Sequence, residues 1–382
     1  MKIKDIALSA AAIGGKVVKA IAIGAVEVWS AVKYLIFKDN AVEQICVANF
    51  SSDGVGVTEE DAAKVTSIGM IFRGNTEITS FDELVEFENV KTINDSYAFE
   101  KCTSLRSIDL SNINEMNSRT FSDCTALESI GSLENLKKAS NAIFYKCTSL
   151  GGDVSLPSYE GSIGWGVYTN TNIQRVANLG NTTSIGVGAG GSDNGAFSNC
   201  KNLRTVVFPD TIEEIGPYCF YGDINLTQVF NIEKVKKLRT HAFSVCSSLV
   251  YDELSFEDLE VFDDNALANN SLLGVNVKRI TNLGKITYFG KVCVTSLEMI
   301  RLPSTVTSCA NYALASCSAL TTLIIEATSP FPISQYLLNG TPIKSGKGTI
   351  YVPDESVEAY KTASNWSTYA DSIEPMSKYV ES

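Results

Sequence analysis

Ten cysteines, one histidine and several adjacent carboxylates are the residues of this 382-residue chain that could carry chemistry. Cysteines invite a disulfide framework or a zinc site, and zinc takes its ligands in close pairs such as Cys-x-x-Cys. Here Cys102, Cys124, Cys147, Cys200, Cys246 and Cys317 are spaced by about 23 residues or multiples of it, and Cys46, Cys219, Cys293 and Cys309 form no close pair. The lone histidine, His241, cannot build an imidazole metal site, and a Ser-His-Asp relay around it lacks a nucleophile at any repeat spacing. Asp263-Asp264 and Glu213-Glu214 resemble an acid and base only in composition, because glycosidase chemistry needs two carboxyls held across a cleft. The glycine run from Gly186 to Gly195 lacks the Lys-Ser/Thr and the strand-helix frame of a phosphate cradle. The expectation is therefore a non-enzyme without cofactor or metal residues, its cysteines packed as small buried side chains.

The cysteine spacing leads to the elements that position it. Ala98-Phe99-Glu-Lys-Cys102-Thr-Ser-Leu105 recurs as Phe121 to Leu127, Phe144 to Leu150, Ala196 to Leu203, Ala242 to Leu249 and Cys317 to Leu320. Asn170, Asp223, Asn269 and Val294 take the cysteine slot in weaker copies, and Asn75 to Ile78 marks a divergent copy ahead of them. From Cys102 to Cys317 the slot spacings are 22, 23, 23, 30, 23, 23, 23, 25 and 23. The 30-residue interval holds the glycine run, which reads as an insertion loop. Each slot leucine leads to an apolar residue three further on, as Leu105 to Ile108 and Leu203 to Val206. That is a short strand, and the Ala-Phe segment before it is one helical or 3₁₀ turn.

One such unit cannot close a core, so units must stack and bury Phe, Cys and Leu between neighbours. The predicted fold is an α/β repeat: a leucine-rich-repeat solenoid with a parallel β-sheet face, a small amino-terminal β-hairpin plus helical unit, and a carboxy-terminal strand-helix cap. Ten strands would make a ribbon of roughly 50 Å. Alternation then turns Ser107, Asp109, Ser129, Arg175, Thr205, Val207, Gln228, Phe230, Tyr251, Glu253, Met299, Arg301, Thr322 and Ile324 outward. Val207, Phe230 and Tyr251 come from consecutive units and would form one apolar patch. With Arg175, Met299 and Arg301 they are the candidate partner-binding residues.

The expected segments are 1–40, a hairpin for docking; 41–70, helix-loop-helix; 71–345, the solenoid; and 346–382, the cap. Asp5, Lys16 and Lys19 interrupt the apolar start, against both a secretory signal and a membrane span. Ser51 to Thr58 resembles a calcium loop, but either alignment misses a ligand position, and Thr58-Glu-Glu-Asp61 reads as a capping box. The net charge of -12 argues against nucleic acid, which demands clustered Lys and Arg. No heptads argue for a particular homo-oligomer, which is left open.

The motif Ala-Phe-x-x-Cys-x-x-Leu with about 23 residues per unit resembles the BspA-type leucine-rich repeats over about residues 60–345. Gly348-Thr-Ile-Tyr-Val-Pro-Asp354, followed by Ser356 to Trp366, is similar to the closing module of such proteins in gut Bacteroidales and their phages. Gly15 to Trp29 resembles the amino-terminal hairpin of many phage virion proteins. The resemblance implies binding rather than catalysis. It points to a virion protein of a crAss-like phage, touching other virion proteins or a host surface molecule, with an exported bacterial adhesin that binds host protein or glycan as the alternative.

Overall fold

The computed structural model describes residues 16–18, 31–267 and 275–381. Strands Lys16–Val18 and Ala31–Lys33 pair antiparallel, Lys16 opposite Lys33. Most of the run from Gly15 to Trp29, and the Asn269 slot, lie outside the described residues. Helix α1 (Asn40–Phe50) begins at Asp39, whose Oδ1 accepts the N–H groups of Ala41 and Val42. Its Oδ2 accepts the Thr79 N–H and, at 2.7 Å, the Thr79 hydroxyl, so one carboxylate caps the helix and clamps it to the first coil. Burial pushes the Asp39 carboxyl up, yet these hydrogen bonds outweigh it and hold the group below its ordinary range.

Helix α2 (Glu59–Lys64) opens on the expected capping box, Thr58 Oγ1 accepting from the Asp61 N–H and Asp61 accepting from the Thr58 N–H. In the loop between the helices, Asp53 Oδ1 accepts from the Val55 and Gly56 N–H groups, and its Oδ2 accepts from the Tyr34 hydroxyl at 2.7 Å. Both carboxylate oxygens of Asp53 are thus engaged, one by the loop's own backbone and one by Tyr34.

The chain then winds through stacked coils with two parallel sheets. On the leucine side the ribbon comes in three pieces. The first pairs Ser80–Phe81 with Ser107–Ile108. The second holds Gly151–Ser155, Asn172–Asn178, Thr205–Val207 and Gln228–Phe230; the third runs from Val250–Phe256 to Ile373–Pro375. A second narrow sheet, unforeseen in the sequence, lines the opposite side, with pairs such as Glu214–Ile215 beside Lys237–Leu238. Two-residue strands of this kind leave almost no alternation to read.

The Ala-Phe segments form a third ladder of turns. The N–H of Phe99 donates to Thr120 and that of Lys101 to Ser122, each one coil ahead, while Cys102 N–H donates back to Phe99. Eight rings stack down the core: Phe72, Phe99, Phe121, Phe144, Tyr168, Phe197, Phe220 and Phe243, with centroids 5.0–5.6 Å apart. Such a pair contributes about 0.5–1.5 kcal/mol beyond its buried area. The thiols of Cys102, Cys124, Cys147, Cys200 and Cys246 each donate, at 3.0 Å, to the carbonyl of the ring residue one coil earlier. Asp223 and Val294 occupy the same buried slot.

One slot differs from the expected one. The residue before each slot is left-handed: Lys101, Asp123, Lys146, Asn199, Val245 and Ser316 all have positive φ, and so does Asn170. The slot of that coil is therefore Thr171, buried and donating to Tyr168 O, with one residue fewer before Ile173. Gly340-Thr341 repeats this arrangement in a further coil, Thr341 donating to Leu338 O. Asn75 follows the left-handed Gly74, whose N–H donates to Glu100 O, so the divergent first copy is a true coil.

The carboxy-terminal cap contains strand Thr349–Val352, helix α3 (Val357–Thr362) and a final strand, Ile373–Pro375, beyond the expected strand and helix. Tyr360 donates to Ala327 O at 2.9 Å and Trp366 Nε1 to Phe331 O at 2.8 Å, covering the last core layer with hydrogen-bonded aromatics. Among the described residues no helix is long and apolar enough to cross a membrane.

Val245 is a β-branched residue at φ 66°, where its side chain crowds the backbone. Replacing it with glycine relieves that strain and is expected to raise stability by roughly 0.5–1 kcal/mol, read as a higher urea midpoint at an unchanged slope.

Candidate functional site on the leucine-side sheet

Register decides which side chains the second sheet piece displays. Val176, Val206 and Val229 lie side by side and point inward, all buried. Arg175, Thr205 and Gln228 form one outward row, and Val207 and Phe230 are direct neighbours in the next. Arg175 is exposed, Val207 half-buried, and Phe230 keeps 48% of its surface open. Three of the expected contact residues thus share this face.

Tyr251 is not one of the displayed residues. From the slot leucine to the inward apolar residue is three positions in Leu226 to Val229 but five in Leu249 to Leu254, so the expected phase fails in that strand. Tyr251 lies half-buried against the core, and its hydroxyl donates to Val229 O at 3.1 Å across the place where the ribbon is interrupted. Burial raises its phenol above the ordinary tyrosine range. Val250, at 55% exposure, is the apolar residue this strand shows instead. Its signal was the long Leu249–Leu254 interval.

Met299 and Arg301 also depart from expectation. Met299 is buried although its register is outward, and Arg301 is half-buried in an ion pair with Glu326 at 3.1 Å. Neither joins the Val207–Phe230 patch. An open cleft of about 390 Å³, unforeseen in the sequence, lies farther along the leucine side and is lined by Glu128, Glu134, Asp153, Tyr168 and Ile173 among others.

The residues that suggested chemistry are engaged elsewhere. His241 Nδ1 lies 2.9 Å from the buried Ser244 hydroxyl, which donates to Asn265 O, and the imidazole stacks on Tyr218 at 5.0 Å. Burial pushes the His241 pKa down, with Asp264 opposing it. Glu213 pairs with Lys236 and Glu214 with Arg239, both at 2.7 Å, and Arg239 also reaches Asp263 at 3.6 Å. These carboxylates form cross-strand pairs on the narrow sheet.

In the glycine run, a Cβ on Gly195 would sit 1.8 Å from Tyr218 O, so close coil packing demands that glycine. Cys219 fills the alanine position ahead of Phe220. Burial holds the Cys46 and Cys317 thiols up at about 12, away from the thiolate a metal or nucleophile requires. Among the described residues no cluster of three His, Cys, Asp or Glu side chains is placed to hold a metal.

The model of the BspA type leucine rich repeat region matches residues 67–189, 193–293 and 279–355. The chain belongs to the BspA-type leucine-rich repeat family. No curated protein matches it in sequence. In structure this BspA-type chain is similar to a leucine-rich repeat protein from Bacteroides ovatus, at 19% identity over 83% of this chain and 88% of that one, TM-score 0.41. It is also similar to a leucine rich cell surface protein from Faecalibacterium prausnitzii, at 18% identity over 68% and 83%, TM-score 0.28. An internalin from Listeria monocytogenes shares 12% identity over 91% and 97%, TM-score 0.20.

Asp223 is the one carboxylate in the BspA-type cysteine slot. Its Oδ1 accepts the Cys200 N–H at 2.8 Å, and its Oδ2 is buried and meets no donor. Burial drives its pKa well above the ordinary value, so the native state holds it neutral and loses stability as pH rises from the unfolded-state pKa toward the native one. Asp223→Cys, which restores the commoner slot residue, is expected to raise the urea midpoint at pH 8 by more than at pH 4.

Proposed function

We propose that this protein is a non-enzymatic protein-binding solenoid whose contact surface is the Val207–Phe230 pair with Arg175 in the neighbouring outward row. Solenoids of this family are typically protein-binding or surface-protein scaffolds, which supports the reading. The observation that carries it is Phe230, a large aromatic side chain left 48% open beside Val207, next to an outward row of polar residues. Aromatic and arginine side chains are enriched in interface hot spots, because they combine large apolar area with directional polar contact.

The proposed setting is a phage particle, with the amino-terminal segment 1–40 docked to other virion proteins and the solenoid presented to them or to a host surface molecule. Support comes from the hairpin and closing-module resemblances. The alternative setting is the bacterial cell surface or the secreted fraction, where BspA-type proteins often reside.

Phe230→Asp is expected to weaken partner capture at least about ten-fold while leaving the melting temperature within a few degrees, since the ring contributes little to the core. Retained affinity in a folded Phe230→Asp protein would overturn the patch. Mass spectrometry of purified particles is expected to find peptides of this chain, and their absence from the particles would count against that setting. A processed terminus within the first thirty residues, found in an envelope fraction, would move the protein to the bacterial surface.

A further inference from the structure

The outward rows of the last strands break the pattern of the rest of the sheet. Met299 lies between Arg279 and Thr322, and Ile324 between Arg301 and Tyr351, all turned from the core by register. Yet Met299 is 6% exposed and Ile324 0%. The end of the chain reaches this face. Ser377 N–H donates to Asp354 Oδ1 at 2.9 Å, and Tyr379 N–H to Met376 O at 2.9 Å, turning the backbone over the sheet. Tyr379 then sets its ring edge-on to Tyr351 at 5.2 Å, and Glu381 reaches the Arg279 guanidinium at 4.0 Å. Val380 between them is 82% exposed. Residues 379–381 thus reach the sheet through an aromatic ring and, two positions on, a carboxylate, without joining any strand pairing.

We propose that this face is a peptide-docking surface, occupied in cis by residues 379–381 and open in trans to an extended segment of a partner protein with an aromatic residue followed two positions later by a carboxylate. The tail displays that chemistry directly: Tyr351, with Ile324 as its strand neighbour, meets the ring, and Arg279 offers a cation for the acid. An edge-on ring contact and a partly exposed ion pair are each weak, and the ion pair is screened by salt. The hydrogen bond from Ser377 to Asp354 anchors the preceding turn, so residues 379–381 can lift from the sheet while the cap stays folded. The site is separate from the Val207–Phe230 patch and does not depend on it.

The full chain carrying Tyr379→Ala and Glu381→Ala is titrated with a fluorescein-labelled peptide copying residues 377–382. Fluorescence anisotropy is expected to show binding about ten-fold tighter than to the unaltered chain, because a tail that fills the site nine-tenths of the time lowers apparent affinity by that factor. Adding Arg279→Glu to the same chain is expected to abolish it. Equal binding to altered and unaltered chains, or none to an altered chain that melts like its parent, would overturn the proposal. Self-association of the altered chain without peptide, seen by light scattering, would overturn it too, by giving the face to a second copy.

Discussion

The structure depends on one constraint: every coil must return to the same point above its predecessor. Ring stacking sets the vertical spacing, because the aromatic column repeats at 5.0–5.6 Å, close to the strand separation of a sheet. The slot thiol sets the phase, since its donor reaches the ring residue's carbonyl one coil back. Left-handed residues before the slots follow from the same demand, as the chain must double back within a few residues to bring ring and thiol into line. Gly195 follows as well, for it lies where two coils press backbone to backbone. Local strain at these sites persists because the stacked neighbours over-determine it.

Such a scaffold draws most of its reactive residue types inward or into pairs between coils. Thiols become buried donors, histidine becomes a stacking partner, and adjacent carboxylates become rungs of an ion ladder on the narrow sheet. In the outward rows of the second leucine-side sheet piece, Arg175 and Phe230 stay exposed instead.

The sequence made the period, the buried slots and the stacking direction legible, because each rests on residues repeated many times. It was weaker wherever one coil departed from the rest. Asn170 looked like a slot residue because a deletion moved Ile173 closer, whereas backbone handedness assigns the slot to Thr171. Tyr251 looked outward because the three-residue rule was carried into a strand with a five-residue interval, and Val250 was missed for the same reason. Met299 and Arg301 were read correctly for register and wrongly for exposure, since alternation along a strand carries no information about a distant segment folding over it. The narrow sheet escaped notice because most of its strands are two residues long and form no pattern.

The aromatic column stops at Phe243. Beyond it Leu267 and Leu314 are among the aliphatic residues of the core, and one coil earlier the leucine-side ribbon is interrupted between Phe230 and Val250. Two kinds of coil-to-coil coupling thus weaken within a coil of each other. In an array held together by nearest-neighbour contacts, the poorest junction is where bending and twisting strain collects. The Phe230 side chain therefore stands on an edge strand of the ribbon, at a junction where ring stacking, the slot thiol and the narrow sheet hold the coils together in place of strand pairing.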